Sequence, residues 1–144
     1  MNVGELCVRN VVVAEKDCPL HQVAMLMRRH QVGSVVVVSK ERGGNRPVGI
    51  FTNRDMIMNI ITEEIDVKSV SLKEAMSDVL ITAHEDDDVN AVLEGMHEKG
   101  VRHIPVTDAR GYLIGIFTAS DVLGFLSTHI SDLSLLIDRN QDRY

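Results

Sequence analysis

Two stretches of almost the same sequence decide how this chain is organised: GIFTNRD at residues 49–55 and GIFTASD at residues 115–121. Five of their seven positions are identical when the chain is aligned with itself at an offset of 66 residues. Further upstream the best offset is 69, which pairs Val23 with Val92. The two offsets differ by three residues, so the first half carries an insertion of that length. The insertion falls in the Gly-rich segment 40–48, where a hairpin turn can lengthen without disturbing its strands. The sequence therefore predicts two copies of one structural unit.

Each half carries the same order of predicted elements. Short apolar runs at residues 11–14 and 80–83 are typical of strands. Each is followed by a helix whose apolar residues recur at i, i+3, i+4 and i+7, namely Leu20, Val23, Ala24 and Met27, then Val89, Val92, Leu93 and Met96. Two strands follow in each half, at residues 35–38 and 48–51 and at residues 104–106 and 113–117. A last helix begins near Asn53 or Ala119.

This order predicts an α+β fold made of two β-α-β-β-α repeats packed with pseudo-twofold symmetry. A half of about 65 residues has little core, and its sheet would have an open edge, so the halves should pack face to face. We place the first repeat at residues 1–61, a linker at 62–70, the second repeat at 71–127 and a C-terminal tail, for which we expect a further helix, at 128–144. The tail carries Leu133, Leu136 and Ile137 at helical spacing.

Two local signals refine the helix starts. Ser71-Leu-Lys-Glu74 has the pattern of a capping box and predicts a short helix that leads into the second half. The acidic run at residues 85–88 fits the first turn of a helix, where the macrodipole favours carboxylates. The same run is a weaker candidate for Mg²⁺.

Composition limits the class of protein. The chain has 144 residues and a formal net charge of -6, so its electrostatic field repels the phosphates of a nucleic acid. Aromatic residues make up 3% of it and Trp is missing, so it has few side chains on which bases could stack. Both features argue against nucleic acid as a partner. Its apolar runs are too short to span a bilayer, and no signal peptide is evident, so we expect a cytoplasmic protein without a membrane partner. Cys7 and Cys18 fit reduced, structural thiols.

The repeat resembles a tandem pair of cystathionine-beta-synthase (CBS) domains, a Bateman module of the free-standing type. The resemblance covers about residues 1–126 and rests on the element order, on VRHIPV at residues 101–106 and on a Gly-h-h-Thr-x-x-Asp segment in each half. It implies a regulatory module without catalysis and without an obligatory cofactor, which acts on a separate target protein and forms a homodimer. The implied effector is an adenosine-containing ligand (AMP, ADP, ATP, NAD or S-adenosylmethionine) bound between the halves.

The resemblance also assigns candidate site residues. In the second copy Asp121 would accept hydrogen bonds from the ribose hydroxyls, while Thr118 and Ser120 would contact ribose or phosphate. In the first copy these positions are Thr52, Arg54 and Asp55, and Arg54 either pairs with phosphate or fills the cleft itself. Four further candidates lie on or before strands: Thr82, His103, Ile104 and Pro105. Which strand ends join which T-x-x-D segment stays open.

Each candidate has a plainer interpretation. T-x-x-D is also a capping box, although capping does not account for the Gly-Ile-Phe that precedes both copies, so we favour a ligand site in the second half. Pro105 removes an N–H and would leave backbone groups free for an adenine edge, or it is a tolerated edge-strand proline. His103 either meets a phosphate or faces solvent. The His and Cys spacings do not predict a metal site.

A second function is compatible with the same fold. The chain would then be a structural dimerisation module whose clefts are vestigial and bind no nucleotide. An enzyme is the least favoured class, because the sequence contains neither a P-loop nor a nucleophile elbow.

Overall fold

The computed structural model describes residues 1–77 and 79–141. In chain order the elements are α1 (Val3–Leu6), β1 (Val13–Ala14), α2 (Leu20–His30), β2 (Ser34–Glu41), β3 (Gly44–Thr52), α3 (Asn53–Asp55), a π-helix (Met56–Ile61), α4 (Leu72–Ala75), β4 (Ala83–His84), α5 (Val89–Lys99), β5 (His103–Thr107), β6 (Leu113–Thr118) and α6 (Ala119–Gln141). The predicted α+β fold is confirmed. The first strand of each repeat is shorter than predicted, and the last helix of the first half is mostly π-helical.

Each half contains one three-stranded sheet with the same topology. The strand orders are β1-β2-β3 and β4-β5-β6, with a parallel first pair and an antiparallel second pair. β2 and β5 are central, which explains why the run of valines at residues 35–38 is wholly buried. The sheets approach each other where β3 contacts β6. Those strands carry the two GIFT segments, so the repeated motif lies where the halves meet.

The helices α2 and α5 bury the faces that the periodicity predicts. Leu20, Val23 and Met27 enter the core of the first half, and Val92 and Met96 enter the core of the second. The two helices end at equivalent positions in the left-handed conformation, at Gln31 (φ 52°) and Gly100 (φ 66°). The hydrophobic stripe and the helix length of 11 residues are therefore properties of the repeat.

The short helices α1 and α4 are exchanged between the halves. Val3 of α1 is fully buried in the core of the second half, and Leu72 of α4 is fully buried in the core of the first. Backbone hydrogen bonds repeat this exchange: the Val3 N–H donates to the Asp87 carbonyl (2.9 Å), and the Leu72 N–H donates to the Cys18 carbonyl (2.9 Å). Each half is therefore completed by the segment that precedes the other.

This exchange corrects the interpretation of residues 71–74. α4 begins where predicted, but it packs on the first half and the capping box does not form. The Ser71 hydroxyl instead donates to Glu74 Oε1 at 3.4 Å. The Leu72 and Lys73 N–H groups donate to the carbonyls of Cys18 and Lys16 (2.9 Å each), so neighbouring backbone satisfies the helix N-terminus.

Two further expectations change in the structure. The acidic run at 85–88 precedes α5 and does not form its first turn: Asp88 is the N-cap, and the Asp87 carboxylate accepts a hydrogen bond from the His84 N–H (2.9 Å). The tail is helical through residue 141, as expected, but it continues α6 (Ala119–Gln141) without a break and forms no separate helix; its residues 142–144 lie outside the described residues.

The inserted residues lengthen the β2–β3 hairpin itself. β2 and β3 have 8 and 9 residues, against 5 and 6 in β5 and β6. Pairing continues to Glu41 opposite Gly44, so only two residues form the turn. The expectation that the insertion leaves the strands unchanged is wrong, because continued pairing satisfies the backbone groups of the added residues.

Candidate functional site

Both T-x-x-D segments form capping boxes at a strand-to-helix junction. In the second half the Thr118 N–H donates to Asp121 Oδ2 (2.9 Å), and the Asp121 N–H donates to Thr118 Oγ1 (3.2 Å). In the first half the Thr52 N–H donates to Asp55 Oδ2 (2.9 Å), and the Asp55 N–H donates to Thr52 Oγ1 (3.3 Å). The capping interpretation is therefore correct for both copies, and a ligand here would use the hydrogen-bonding capacity that capping leaves over.

The two copies differ in which groups remain free. The Thr52 hydroxyl donates to Asp55 Oδ2 at 3.1 Å, so its proton is already engaged. Within residues 1–77 and 79–141, the Thr118 hydroxyl only accepts, and no hydrogen bond reaches Oδ1 of Asp121. Thr118 and Asp121 are both half-buried. The second copy thus offers one hydroxyl donor and one carboxylate oxygen at the same junction.

His103 lies beside this second copy. It begins β5 and pairs with Thr118 in the antiparallel register of β5 and β6. Burial lowers the pKa of His103, while the charge of Asp121 acts in the opposite direction and Arg102 adds to the lowering. The half-buried imidazole is therefore predominantly neutral near pH 7, which weakens the expectation that it meets a phosphate as a cation.

Residues from the start of the chain complete the surroundings of Asp121. Val8 and Ile116 exchange two backbone hydrogen bonds of 2.9 Å, so the segment after α1 runs antiparallel along the outer edge of β6. Cys7 packs over Gly115, and a Cβ built on that glycine would lie 2.6 Å from the Cys7 sulfur. The pKa of the Cys7 thiol is raised chiefly by burial, and the negative charge of Asp121 raises it further. No sequence signal marks these residues, since the contact depends on the exchange of α1.

The first half repeats this arrangement with different side chains. A Cβ built on Gly49 would fall directly on the Met76 methyl group, as the equivalent atom on Gly115 would meet Cys7. Met76 lies beside β3 of the first half, and the chain continues from there to β4 of the second half at residues 83–84. Thr82, exposed at this crossing, is separated from β6 by β5 in the strand order. The strand order therefore places Thr82 two strands away from the junction at Thr118.

The remaining candidates divide by burial. Arg54 and Ser120 are exposed, whereas the Ile104 and Pro105 side chains are buried. In the first half the Val36 N–H donates to the Val12 carbonyl (3.0 Å). Pro105 stands at the position of Val36 and has no N–H, so the equivalent bond cannot form. The interpretation that Pro105 frees backbone groups for an adenine edge stays a prediction.

Comparison with known proteins identifies the family. The model of the CBS domain matches residues 3–62 and again residues 67–128. The chain belongs to the CBS domain family. The two matched segments correspond to the two repeats, and the end of the second falls within α6.

A curated relative aligns with most of this chain at moderate identity. Uncharacterized protein MK0525 of Methanopyrus kandleri is 35% identical over 123 residues, which cover 85% of this chain and 61% of that protein. The chain therefore spans about three fifths of the length of that relative.

Solved structures show the same fold. The CBS domain pair of protein MJ0100, in complex with 5'-methylthioadenosine and S-adenosyl-L-methionine, has a TM-score of 0.76 at 23% identity, over 88% of this chain and 99% of that one. The CBS domain protein PAE2072 from Pyrobaculum aerophilum, complexed with AMP, has a TM-score of 0.74 at 24% identity, over 84% and 89%.

Elsewhere in the described residues the CBS pair offers a further cavity of note. An open cavity of about 430 Å³ lies against β1, the start of α2 and β2, but none of the candidate residues lines it. Within the described ranges, no cluster of three or more His, Cys, Asp or Glu side chains is arranged to hold a metal ion. Nor does any described helix combine the length and apolar character needed to cross a membrane.

Proposed function

We propose that this chain is a regulatory CBS pair that binds an adenosine-containing ligand at the Thr118–Asp121 junction and acts without catalysis of its own. The observation that carries the proposal is the pair of groups left free by the capping box, the Thr118 hydroxyl proton and Oδ1 of Asp121. A ribose presents adjacent hydroxyls that can both donate and accept, so this pair is complementary to it. Val8, paired with Ile116 at the edge of β6, brings the first segment of the chain next to the strand that leads into this junction.

The comparisons support the ligand class. Two CBS pairs with this fold were solved with AMP and with 5'-methylthioadenosine and S-adenosyl-L-methionine, all of which contain adenosine. The residues at the two junctions of this chain differ, so we propose unequal clefts. The first has its threonine hydroxyl engaged by Asp55 and carries Arg54 in place of Ser120. We expect the second to bind a ribose more tightly.

A thermal-shift screen with AMP, ADP, ATP, NAD and S-adenosylmethionine tests the proposal. A ligand that binds only the folded chain adds about 2.7 kcal/mol of stability at 100 times its Kd, which is readily measured. The competing function, a structural dimerisation module with vestigial clefts, predicts no shift with any of these compounds. That result would overturn the ligand-binding proposal.

Paired substitutions then locate the site. Asp121→Asn keeps a side-chain oxygen for the cap but removes the charge, and Asp55→Asn makes the same change in the first half. We expect Asp121→Asn to weaken binding by about 1–3 kcal/mol by calorimetry, with a smaller loss for Asp55→Asn. Circular dichroism of both free variants controls for folding. An equal or larger loss for Asp55→Asn would reverse the order of the clefts.

The mode of action follows from the geometry of such a cleft. A ligand that contacts both halves stabilises the arrangement of the halves in which it can make both sets of contacts. The equilibrium shifts by no more than the difference between the ligand's binding free energies for the two arrangements. We propose that a separate target protein detects this shift on exposed helix surfaces of a homodimer in the cytoplasm. Hydrogen exchange with and without ligand should show protection around Thr118 together with a change in α6. Protection at the cleft alone would remove this route.

A further inference from the structure

The second half of α6 is the largest feature of the structure that ligand binding does not account for. The family match ends at residue 128, whereas α6 continues to Gln141. Every side chain described from residue 126 to residue 139 is exposed. An isolated helix of this length is only marginally stable in water, so packing against another surface would stabilise it.

Five apolar residues of α6 follow the spacing of a two-stranded coiled coil. They are separated by three and four residues in alternation, as in Leu123, Leu126, Ile130, Leu133 and Ile137, and each is about half or more exposed. In heptad notation Leu123, Ile130 and Ile137 occupy a positions, and Leu126 and Leu133 occupy d positions. Among parallel coiled coils, isoleucine at a combined with leucine at d favours two strands over three or four.

The residues flanking this seam permit two identical copies to approach. The positions next to it are uncharged or hold a histidine: Ser127 and Ser134 on one side, and Val122, His129 and Leu136 on the other. The charged residues Asp132, Asp138 and Arg139 fall at b and c positions, away from the seam. The formal net charge of -6 therefore does not concentrate repulsion at this surface.

We infer that residues 123–137 of α6 pair with the same residues of a second copy of this chain, in parallel. The seam is self-complementary, as a twofold interface between identical subunits requires. More than half of it, residues 129–137, lies beyond the segment that the CBS domain model covers, so the pairing involves helix outside that domain. The inference does not depend on the proposed ligand.

Two substitutions of the same residue type on opposite faces of α6 test the pairing. Leu133 lies in the seam and Leu135 outside it, and their exposed fractions are 58% and 63%. Sedimentation equilibrium over a dilution series should give twice the chain mass of 16.0 kDa for the unchanged protein and for Leu135→Glu. We expect the dissociation constant of Leu133→Glu to rise at least tenfold. A monomeric unchanged protein, or equal constants for the two variants, would overturn the inference.

Disulfide trapping tests the parallel direction. In a Cys7→Ala, Cys18→Ala background, Ile130→Cys places two identical a positions together only if the helices are parallel and in register. Mild oxidation should then give a covalent dimer on a non-reducing gel, and Leu135→Cys should not. A protein that remains dimeric in solution yet does not cross-link through Ile130→Cys would contradict the parallel arrangement.

Discussion

The Arg46 guanidinium lies 5.0 Å from the centre of the Tyr112 ring, and this contact joins the β2–β3 hairpin of the first repeat to the β5–β6 turn of the second. Arg46 also donates to Glu41 Oε2 (2.6 Å) and to the Arg110 carbonyl (3.3 Å). The backbone of the hairpin turn fits closely here, since a Cβ on Gly43 would lie 2.7 Å from the Tyr112 ring. The longer hairpin therefore makes contacts that stabilise the packing of one repeat against the other.

Removal of the Tyr112 ring should weaken this contact between the two repeats. We expect Tyr112→Ala to lower the melting temperature, because Arg46 loses the aromatic face and the hairpin turn loses the surface that it packs against. Tyr112→Phe retains the ring and serves as the control, with a smaller change. The measurement is thermal unfolding followed by circular dichroism, and identical melting temperatures for the two variants would contradict a role for the ring.

Gly115 should tolerate no side chain. Its Cβ would lie 2.6 Å from the Cys7 sulfur and 3.0 Å from the Val8 carbonyl oxygen, so the edge pairing beside Asp121 would have to shift. We expect Gly115→Ala to destabilise the protein by about 1–3 kcal/mol in urea unfolding. Gly124→Ala is the matched control, because no described atom lies within 4 Å of its Cβ apart from its chain neighbours and the nearby backbone of its own helix. In the helix α6 that change should stabilise by up to about 1 kcal/mol.

Exchanging Gln and Gly at the left-handed ends of α2 and α5 should change the free energy of unfolding in opposite directions. Gln31 adopts φ 52° at the position where the second repeat has Gly100 at φ 66°. Because a side chain is strained in this conformation, Gln31→Gly should stabilise the chain and Gly100→Gln should destabilise it, each by roughly 1 kcal/mol. Urea unfolding of both variants provides the test. A loss of stability with Gln31→Gly would show that its side chain contributes more than the strain costs.

The pKa of His103, lowered mainly by burial, makes stability depend on pH. As pH falls below the ordinary value of 6.5, the unfolded chain binds a proton at this residue before the folded chain does. The contribution of His103 is therefore complete above 6.5 and is lost as pH falls through the folded pKa. Between about pH 7.5 and 5, we expect the melting temperature to fall less in His103→Gln than in the unchanged protein. A parallel fall in both would exclude His103 as a source of the pH dependence.

Much of this architecture follows from the sequence alone. The repeat is visible because Gly-Ile-Phe-Thr recurs with an Asp three residues later, and the helices are visible because Val23 and Val92 lie on apolar stripes of period 3.6. These signals are local, since a strand or helix buries a face that its own neighbours in sequence define. The capping role of T-x-x-D was likewise available from the sequence as an alternative.

Only the tertiary structure decided how the halves complete each other. The exchange of α1 and α4, the edge pairing of Val8 with Ile116 and the lengthened hairpin that brings Arg46 to Tyr112 depend on contacts between residues far apart in the chain. The exchange and the edge pairing rely on backbone N–H and carbonyl groups, which every residue except proline possesses, so no side-chain pattern records them. The sequence therefore determined the unit that is repeated, and long-range backbone pairing determined the junction at which Thr118 and Asp121 keep groups free.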